Sequence, residues 1–109
     1  MSGPASLLAD LPAAAKTAER FEDLLTRPGA RIERIVSSGQ STPPGEWMDQ
    51  AWDEWVLLIS GSAGLTLEGA APLALKPGDH LLIPARARHR VDFTQIPTVW
   101  LAVHFDRNR

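Results

Sequence analysis

The sequence contains no cysteine, so disulfide bonds and thiolate-ligated metal sites are both excluded. It also lacks an excess of positive charge, because 11 basic and 13 acidic residues give a formal net charge of −2. A protein that follows nucleic-acid phosphates needs a clear basic surplus, so we expect no nucleic-acid partner. A chain without cysteine fits a reducing compartment, and the cytoplasm is therefore the expected location.

Long hydrophobic runs are missing as well. The longest uninterrupted apolar stretches reach about five or six residues, far below the roughly 20 that a membrane-spanning helix requires. The N-terminus has no basic segment followed by an apolar one, so we expect neither a signal peptide nor a membrane partner. A chain of 109 residues can form one domain around a single hydrophobic core.

The first 30 residues differ in pattern from the rest of the chain. Residues 13–26 carry apolar side chains at three- and four-residue spacing, which is the period of an amphipathic helix. The Pro28-Gly29 pair that follows is typical of a helix end. The sequence therefore predicts an N-terminal arm with one short helix over residues 1–30.

The pattern from residue 31 to residue 109 is that of a β-domain. Short apolar runs alternate with glycine and proline turns at a spacing of about 8–12 residues. The predicted strands cover residues 31–38, 54–60, 63–68, 73–76, 80–83, 89–94 and 98–105. Residues 54–60 show almost no polar alternation, which predicts a strand buried on both faces. The expected fold class is all-β, an antiparallel sandwich or a small barrel.

Two segments of this β-region carry a family resemblance, namely residues 54–61 (EWVLLISG) and 78–89 (GDHLLIPARARH). Six residues separate Glu54 from Gly61, five separate Gly78 from Pro84, and four separate Pro84 from His89. These spacings resemble the two sequence motifs of the cupin superfamily, G-x5-H-x-H-x3,4-E-x6-G and G-x5-P-x-G-x2-H-x3-N. The chain is most similar to small single-domain cupins with a DEWVLLI-type signature.

The resemblance implies a cupin-like jelly-roll β-barrel over residues 31–109, with the N-terminal arm and helix packed against it or against a partner. It also implies a homodimer and a metal or small-molecule site inside the barrel. The first motif departs from the family because its two histidine positions hold either Trp47 and Asp49 or Met48 and Gln50, according to the spacing. The glycine of the second motif is Arg86.

Glu54 and His89 are the main site candidates, because both occupy motif positions. A neutral imidazole can ligate a metal or act as a general base; the alternative is a histidine that is simply hydrogen-bonded in the barrel mouth. An ionised carboxylate inside an apolar strand costs several kcal/mol unless it is paired. Glu54 is therefore a metal ligand, an acid or base, or the partner of one of the arginines around His89, namely Arg86, Arg88 and Arg90.

Three further residues complete the predicted metal set. Asp49 and Gln50 could supply oxygen ligands from the preceding segment, although a loop aspartate is more often a solvated charge. Oxygen ligands together with imidazole suit a divalent cation such as Zn²⁺, Mn²⁺ or Fe²⁺. His104 is a weaker candidate, because a histidine between Val103 and Phe105 is more often found on the outer face or at an interface.

Tryptophan is unusually frequent, with four in the chain. Trp47 and Trp52 flank an acidic segment, and aromatic side chains around a few polar groups are typical of a small-molecule pocket. We therefore predict that both line the pocket. Trp55 alternates away from Glu54, which favours a place in the core or at a dimer interface.

Three functions are open at this point. The first is a cupin that holds a divalent metal and catalyses a reaction such as oxygenation or isomerisation of a small organic substrate. The second is a metal-free small-molecule binder or sensor. The third is a structural dimer module whose buried polar groups form only a satisfied network. The sequence names no substrate.

Overall fold

The computed structural model describes residues 3–106, and this part of the chain contains eight β-strands and no helix. The strands are β1 Arg20–Arg27, β2 Ala30–Ser37, β3 Asp53–Ser60, β4 Ala63–Leu67, β5 Leu73–Leu75, β6 His80–Ile83, β7 His89–Thr94 and β8 Thr98–Phe105. The seven predicted strands are confirmed as β2 to β8, each boundary within one residue. The ends of the predicted arm and barrel, residues 1–2 and 107–109, lie outside the described residues.

The strands form two antiparallel sheets with the orders β1-β2-β8-β3-β6 and β5-β4-β7. One hydrophobic core joins them, since Val56, Leu58 and Trp100 from the larger sheet are buried together with Ala63 and Leu65 from the smaller one. The two sheets therefore face each other and enclose the core as a β-barrel. Among the described residues, no helix has the length and apolarity needed to cross a membrane.

The predicted N-terminal helix is wrong. Residues 20–27 form β1, which pairs with β2 from Arg20↔Val36 to Arg27↔Ala30. Pro28 and Gly29 make the two-residue turn of this hairpin, and Gly29 takes the positive φ of 83° that a turn with proline at its second position requires. The helical spacing was a weak local preference, and pairing with a neighbouring strand outweighed it.

β3 is also less buried than its apolar sequence suggests. Its inward side chains alternate with half-buried outward ones, Trp55, Leu57 and Ile59. On the same outer face, Leu82 of β6 is 49% exposed. The homodimer remains a prediction, and this apolar outer face is the surface available to it.

The N-terminal arm is attached to the outer side of β2 by one buried arginine. Arg34 donates hydrogen bonds through Nη1 to the backbone oxygens of Leu7 (2.9 Å) and Ala9 (2.8 Å). Its Nε donates to the Glu22 carboxylate on β1, and this hydrogen bond holds the pKa of Glu22 below its usual value. The arm is thus tied to the sheet by hydrogen bonds to its backbone carbonyls, from an arginine that is itself ion-paired within the sheet.

Replacing Arg34 with methionine is expected to release this arm, because two backbone carbonyls lose their donor at a cost of about 1–3 kcal/mol. Limited proteolysis by an enzyme that does not cleave at arginine should then cut residues 3–18 faster, as read by mass spectrometry. Because the pKa of Glu22 is lowered, its contact stabilises the wild type at neutral pH and is lost as the pH falls through that lowered value. Arg27→Met, at an exposed arginine, is the control and should leave the cutting rate unchanged.

Candidate functional site

A cavity of about 210 Å³ lies between the two sheets. Its polar lining comes mainly from Glu19, Glu33, Gln50, Glu54, His89 and His104. Its apolar walls include Ile35, Val56, Leu65, Ile83 and Val91. A concave, mostly apolar pocket with a few polar groups is the usual form of a small-ligand site.

Glu54 projects into this cavity from β3, opposite His104 on β8 and Ile83 on β6. The residue is only 8% exposed. The side-chain amide of Gln50 donates through Nε2 to Oε1 of Glu54 at 2.9 Å. The alternative of an arginine partner is not seen, since the three candidate arginines pair with other carboxylates: Arg86 with Asp49, Arg88 with Glu68 and Arg90 with Asp92. Glu54 therefore has a neutral hydrogen-bond partner but no ion pair in the described part of the chain.

His89 begins β7 beside Glu54 in the lining of the cavity and is 4% exposed. Its backbone is fixed by two hydrogen bonds with Met48 (2.7 and 2.9 Å). Nδ1 lies 2.9 Å from the carbonyl oxygen of Ala87. A carbonyl can only accept, so Nδ1 carries a proton, and in the neutral imidazole Nε2 then carries a lone pair. No described residue donates to that lone pair.

His104 lies on the inner face of β8, where it lines the cavity, and not on the outer face that the sequence favoured. Nε1 of Trp52 donates to Nδ1 of His104 at 2.9 Å. An indole N–H is only a donor, so Nδ1 is unprotonated and the proton resides on Nε2. Nε2 in turn donates to Oε1 of Glu33 at 2.9 Å. Both ring nitrogens are therefore engaged, and this arrangement requires a neutral imidazole.

Glu33 connects His104 to the surface. Its second oxygen, Oε2, lies 3.0 Å from Nη1 of Arg31, and the same Nη1 lies 3.0 Å from Oδ1 of Asp23. Burial alone would lower the pKa of Arg31, but the two carboxylates outweigh it and raise this pKa above its usual value. The charge of Glu33 is thus compensated by a cation, whereas the charge of Glu54 is not.

A second chain of hydrogen bonds borders the cavity at Trp100. Nε1 of Trp100 donates to Oγ of Ser37 at 3.0 Å, and this hydroxyl donates to the Glu19 carboxylate. The sequence reasoning did not find Glu19 or Glu33 as site residues. Glu33 had a usable signal, because it shares a strand face with the apolar Ile35. Glu19 had none, because its segment had the spacing of a helix.

The structure brings only part of the predicted site together. Gln50, Glu54, His89 and His104 line the cavity. Asp49 is outside it, with a half-exposed carboxylate 3.7 Å from Arg86.

The two predicted pocket-wall tryptophans do not line this cavity either. Trp47 lies outside the barrel interior, with the guanidinium groups of Arg88 and Arg90 at 5.8 and 5.0 Å from its ring. Trp52 lies behind His104, to which it donates its hydrogen bond.

These positions also resolve the spacing of the first motif. Met48 and Gln50 line the cavity, whereas their neighbours Trp47 and Asp49 do not, so the shorter spacing places the motif's histidine positions at Met48 and Gln50. Arg86 has a φ of 66°, a left-handed conformation that glycine adopts without strain. This backbone angle explains why the second motif has glycine at this position.

No family model matches the sequence, and no curated protein matches it. Solved structures do. A protein from Ralstonia eutropha JMP134, described as a proposed mannose-6-phosphate isomerase, is 51% identical, with a TM-score of 0.89 over 96% of this chain and 99% of that one. A cupin superfamily protein from Desulfitobacterium hafniense is 20% identical, with a TM-score of 0.75 over 96% of this chain and 93% of that one.

The protein has a cupin-like fold. The DMSP lyase DddQ from Ruegeria pomeroyi has the same fold, with 19% identity and a TM-score of 0.70 over 82% of this chain. This chain spans about half the length of that lyase (47%). The distant matches establish the fold alone.

The donor set of this barrel does not fit the metal that the family resemblance implies. No three or more His, Asp or Glu side chains converge in the described residues so as to hold a metal ion. Of the predicted ligands in the lining, His89 keeps Nε2 free, Glu54 keeps one oxygen free, and Gln50 keeps only a neutral amide oxygen. Gln50 uses its amide to donate to Glu54, His104 is engaged on both nitrogens, and Met48 offers a soft thioether, which Mn²⁺ and Fe²⁺ do not favour.

Proposed function

We propose that this protein binds a small organic molecule, without a metal, in the cavity of its jelly-roll barrel. One observation carries the proposal: Glu54 and His89 both line an otherwise apolar cavity and are more than nine-tenths buried, yet each keeps hydrogen-bonding capacity that no described residue uses. No fully buried side-chain N or O atom of the described residues lacks a hydrogen-bond partner, so the unused atoms of Glu54 and His89 face the open space of the pocket. Hydrogen-bonding capacity that faces a pocket is available to a ligand.

The surroundings of the two residues support binding in one orientation. Gln50 fixes one oxygen of Glu54, and the Ala87 carbonyl fixes the tautomer of His89. Both groups are therefore positioned before a ligand arrives, which lowers the entropic cost of binding. The apolar walls can bury the remainder of the ligand, at about 25 cal/mol per Å² removed from water.

The same pair can move a proton. Nε2 of His89 and the free oxygen of Glu54 are two bases that line the same pocket. One base can abstract a proton from a bound substrate, and the protonated base can return it. The name of the Ralstonia eutropha protein supports an isomerisation of this kind. It does not transfer a phosphosugar substrate to this protein, because neither lysine nor arginine lines the cavity among the described residues.

Filling the cavity tests the proposal. In a thermal-shift and tryptophan-fluorescence screen of small organic molecules, the wild type is expected to bind ligands that quench Trp100 or raise its melting temperature. Val91→Phe introduces a phenyl ring into the cavity lining and should weaken binding of such a ligand by about tenfold or more. Val103→Phe makes the same change on the half-exposed outer face of β8 and should leave binding unaltered. A screen that finds no ligand, or an equal loss of affinity in both variants, would contradict the proposal.

The metal hypothesis is tested on the same preparations. Protein purified without chelator is expected to contain no stoichiometric metal, and its melting temperature should not respond to added Zn²⁺, Mn²⁺ or Fe²⁺. One equivalent of metal that is lost in His89→Ala, or a metal-dependent rise in melting temperature, would favour the metal-binding cupin instead.

A further inference from the structure

We propose that the ligand of this cavity presents an organic cation, a primary ammonium group, to Glu54 and His89. This inference rests on the proposed function, because it names the chemical class that the same cavity selects. Three properties of the lining carry it: its hydrogen-bond inventory, its charge and its size.

The hydrogen-bond inventory consists mainly of acceptors. The donors of the lining are used within the protein, since Trp100 Nε1 donates to Ser37 and His104 Nε2 to Glu33. One N–H of the Gln50 amide donates to Glu54. Acceptors predominate among the groups that remain free: Nε2 of the neutral His89 ring, the second oxygen of Glu54 and the amide oxygen of Gln50, against a single free donor, the second N–H of Gln50. An ammonium group is the complement of such a site, because it has three donors and no acceptor.

The charge of the lining favours the same class. Glu33 has its cation in Arg31, whereas Glu54 has no ion pair and is 8% exposed. A buried carboxylate is costly unless a cation or several hydrogen bonds compensate it. No lysine or arginine of the described chain reaches the cavity lining. A bound ammonium supplies the missing cation, whereas a carboxylate or phosphate ligand meets repulsion that a low dielectric strengthens.

The size of the cavity limits the rest of the ligand. The pocket volume of about 210 Å³ lies below the roughly 300–1,000 Å³ of pockets that bind drug-sized ligands, so it suits a small organic molecule. Val56, Leu65 and Ile83 border this space, so the part of the ligand beyond the ammonium group is apolar. A short alkylamine has this size and this polarity.

The test compares three five-carbon probes of nearly equal shape: pentylamine, 1-pentanol and pentanoate. Isothermal titration at pH 7 is expected to show pentylamine binding about tenfold or more tightly than 1-pentanol, because a charge-assisted hydrogen bond replaces a neutral one. Pentanoate should not bind measurably. Val91→Phe should abolish binding of pentylamine, which locates the site in the cavity.

The isosteric variant Glu54→Gln should bring pentylamine down to the affinity of 1-pentanol. Glu68→Gln, which removes a surface carboxylate paired with Arg88, is the matched control and should keep the tenfold preference. The comparison of probes on the wild type needs no variant, so a folding defect in Glu54→Gln would not remove the test.

The outcomes separate the two proposals. Equal binding of pentylamine and 1-pentanol, or a preference for pentanoate, overturns the ammonium inference. Either result still supports the proposed function, because a small organic molecule binds. An amine preference that persists in Glu54→Gln also overturns the inference. Failure of all three probes, together with a screen that yields no ligand, overturns the proposed function itself.

Discussion

Gly61→Ala is expected to lower the free energy of unfolding by about 4 kcal/mol, as the sum of backbone strain and overpacking. Gly61 has a φ of +90°, a conformation that alanine rarely adopts. A Cβ here would lie 2.6 Å from the backbone oxygen of Pro97 and 2.8 Å from Cα of Thr98. Thr98 cannot move aside, because it is fully buried and its hydroxyl binds the carbonyl oxygens of Ser62 and Gln95. Urea unfolding measures the loss.

Gly69→Ala separates the two contributions. Gly69 also has a positive φ, +84°, but a Cβ at this position meets no atom within 4 Å. Its substitution should therefore cost only the backbone strain, about 1–2 kcal/mol. If the two variants unfold at the same urea concentration, steric contact with β8 makes no contribution to the requirement for glycine at position 61.

Glu33→Leu is expected to destabilise the barrel by about 3 kcal/mol or more, because removing one partner of a buried pair leaves the other uncompensated. The substitution leaves Nε2–H of His104 without an acceptor inside the cavity and leaves Arg31 with only the exposed carboxylate of Asp23. The double variant Glu33→Leu/His104→Leu removes both members of the inner pair. It should recover part of the loss, since replacing both partners with apolar groups can be nearly neutral.

Urea unfolding of the two single variants and the double variant gives a coupling energy for Glu33 and His104, which we expect to exceed about 1 kcal/mol. Asp23→Leu is the matched control at the exposed end of the same chain, where the carboxylate is 58% exposed. An exposed ion pair contributes little, so this control should cost about 0.5 kcal/mol or less. A coupling energy near zero would show that the inner contact is not energetically significant.

The strands were predictable because their signals are local. In β3 and β6, short apolar runs end at Gly61 and Pro84, and such turn residues mark strand ends regardless of the rest of the fold. β1 was not predictable in this way. Its pairing with β2 depends on contacts with charged residues of that strand, such as the contact of Glu22 with Arg34. The spacing of apolar residues within residues 20–27 does not reveal these contacts.

The site was predictable only where a motif spacing fixed it. Glu54 and His89 were found because each lies at a fixed motif distance from a glycine or proline: Glu54 before Gly61 and His89 after Pro84. His104 and Glu33 could not be recognised as a pair, because they lie 71 positions apart in the sequence and the sheet register alone brings them together. Asp49 and Trp47 failed to reach the cavity because they alternate with Gln50 and Met48, which do.

The place of Met48 and Gln50 in the cavity lining has an evolutionary consequence. Both side chains border the cavity together with Glu54 and His89, at the positions where the first cupin motif has its histidines. Two substitutions therefore separate the lining of this barrel from the four-ligand pattern of the cupin motifs. Loss or gain of a metal centre in such a fold does not require a new architecture. It requires changes at two alternate positions of one short segment.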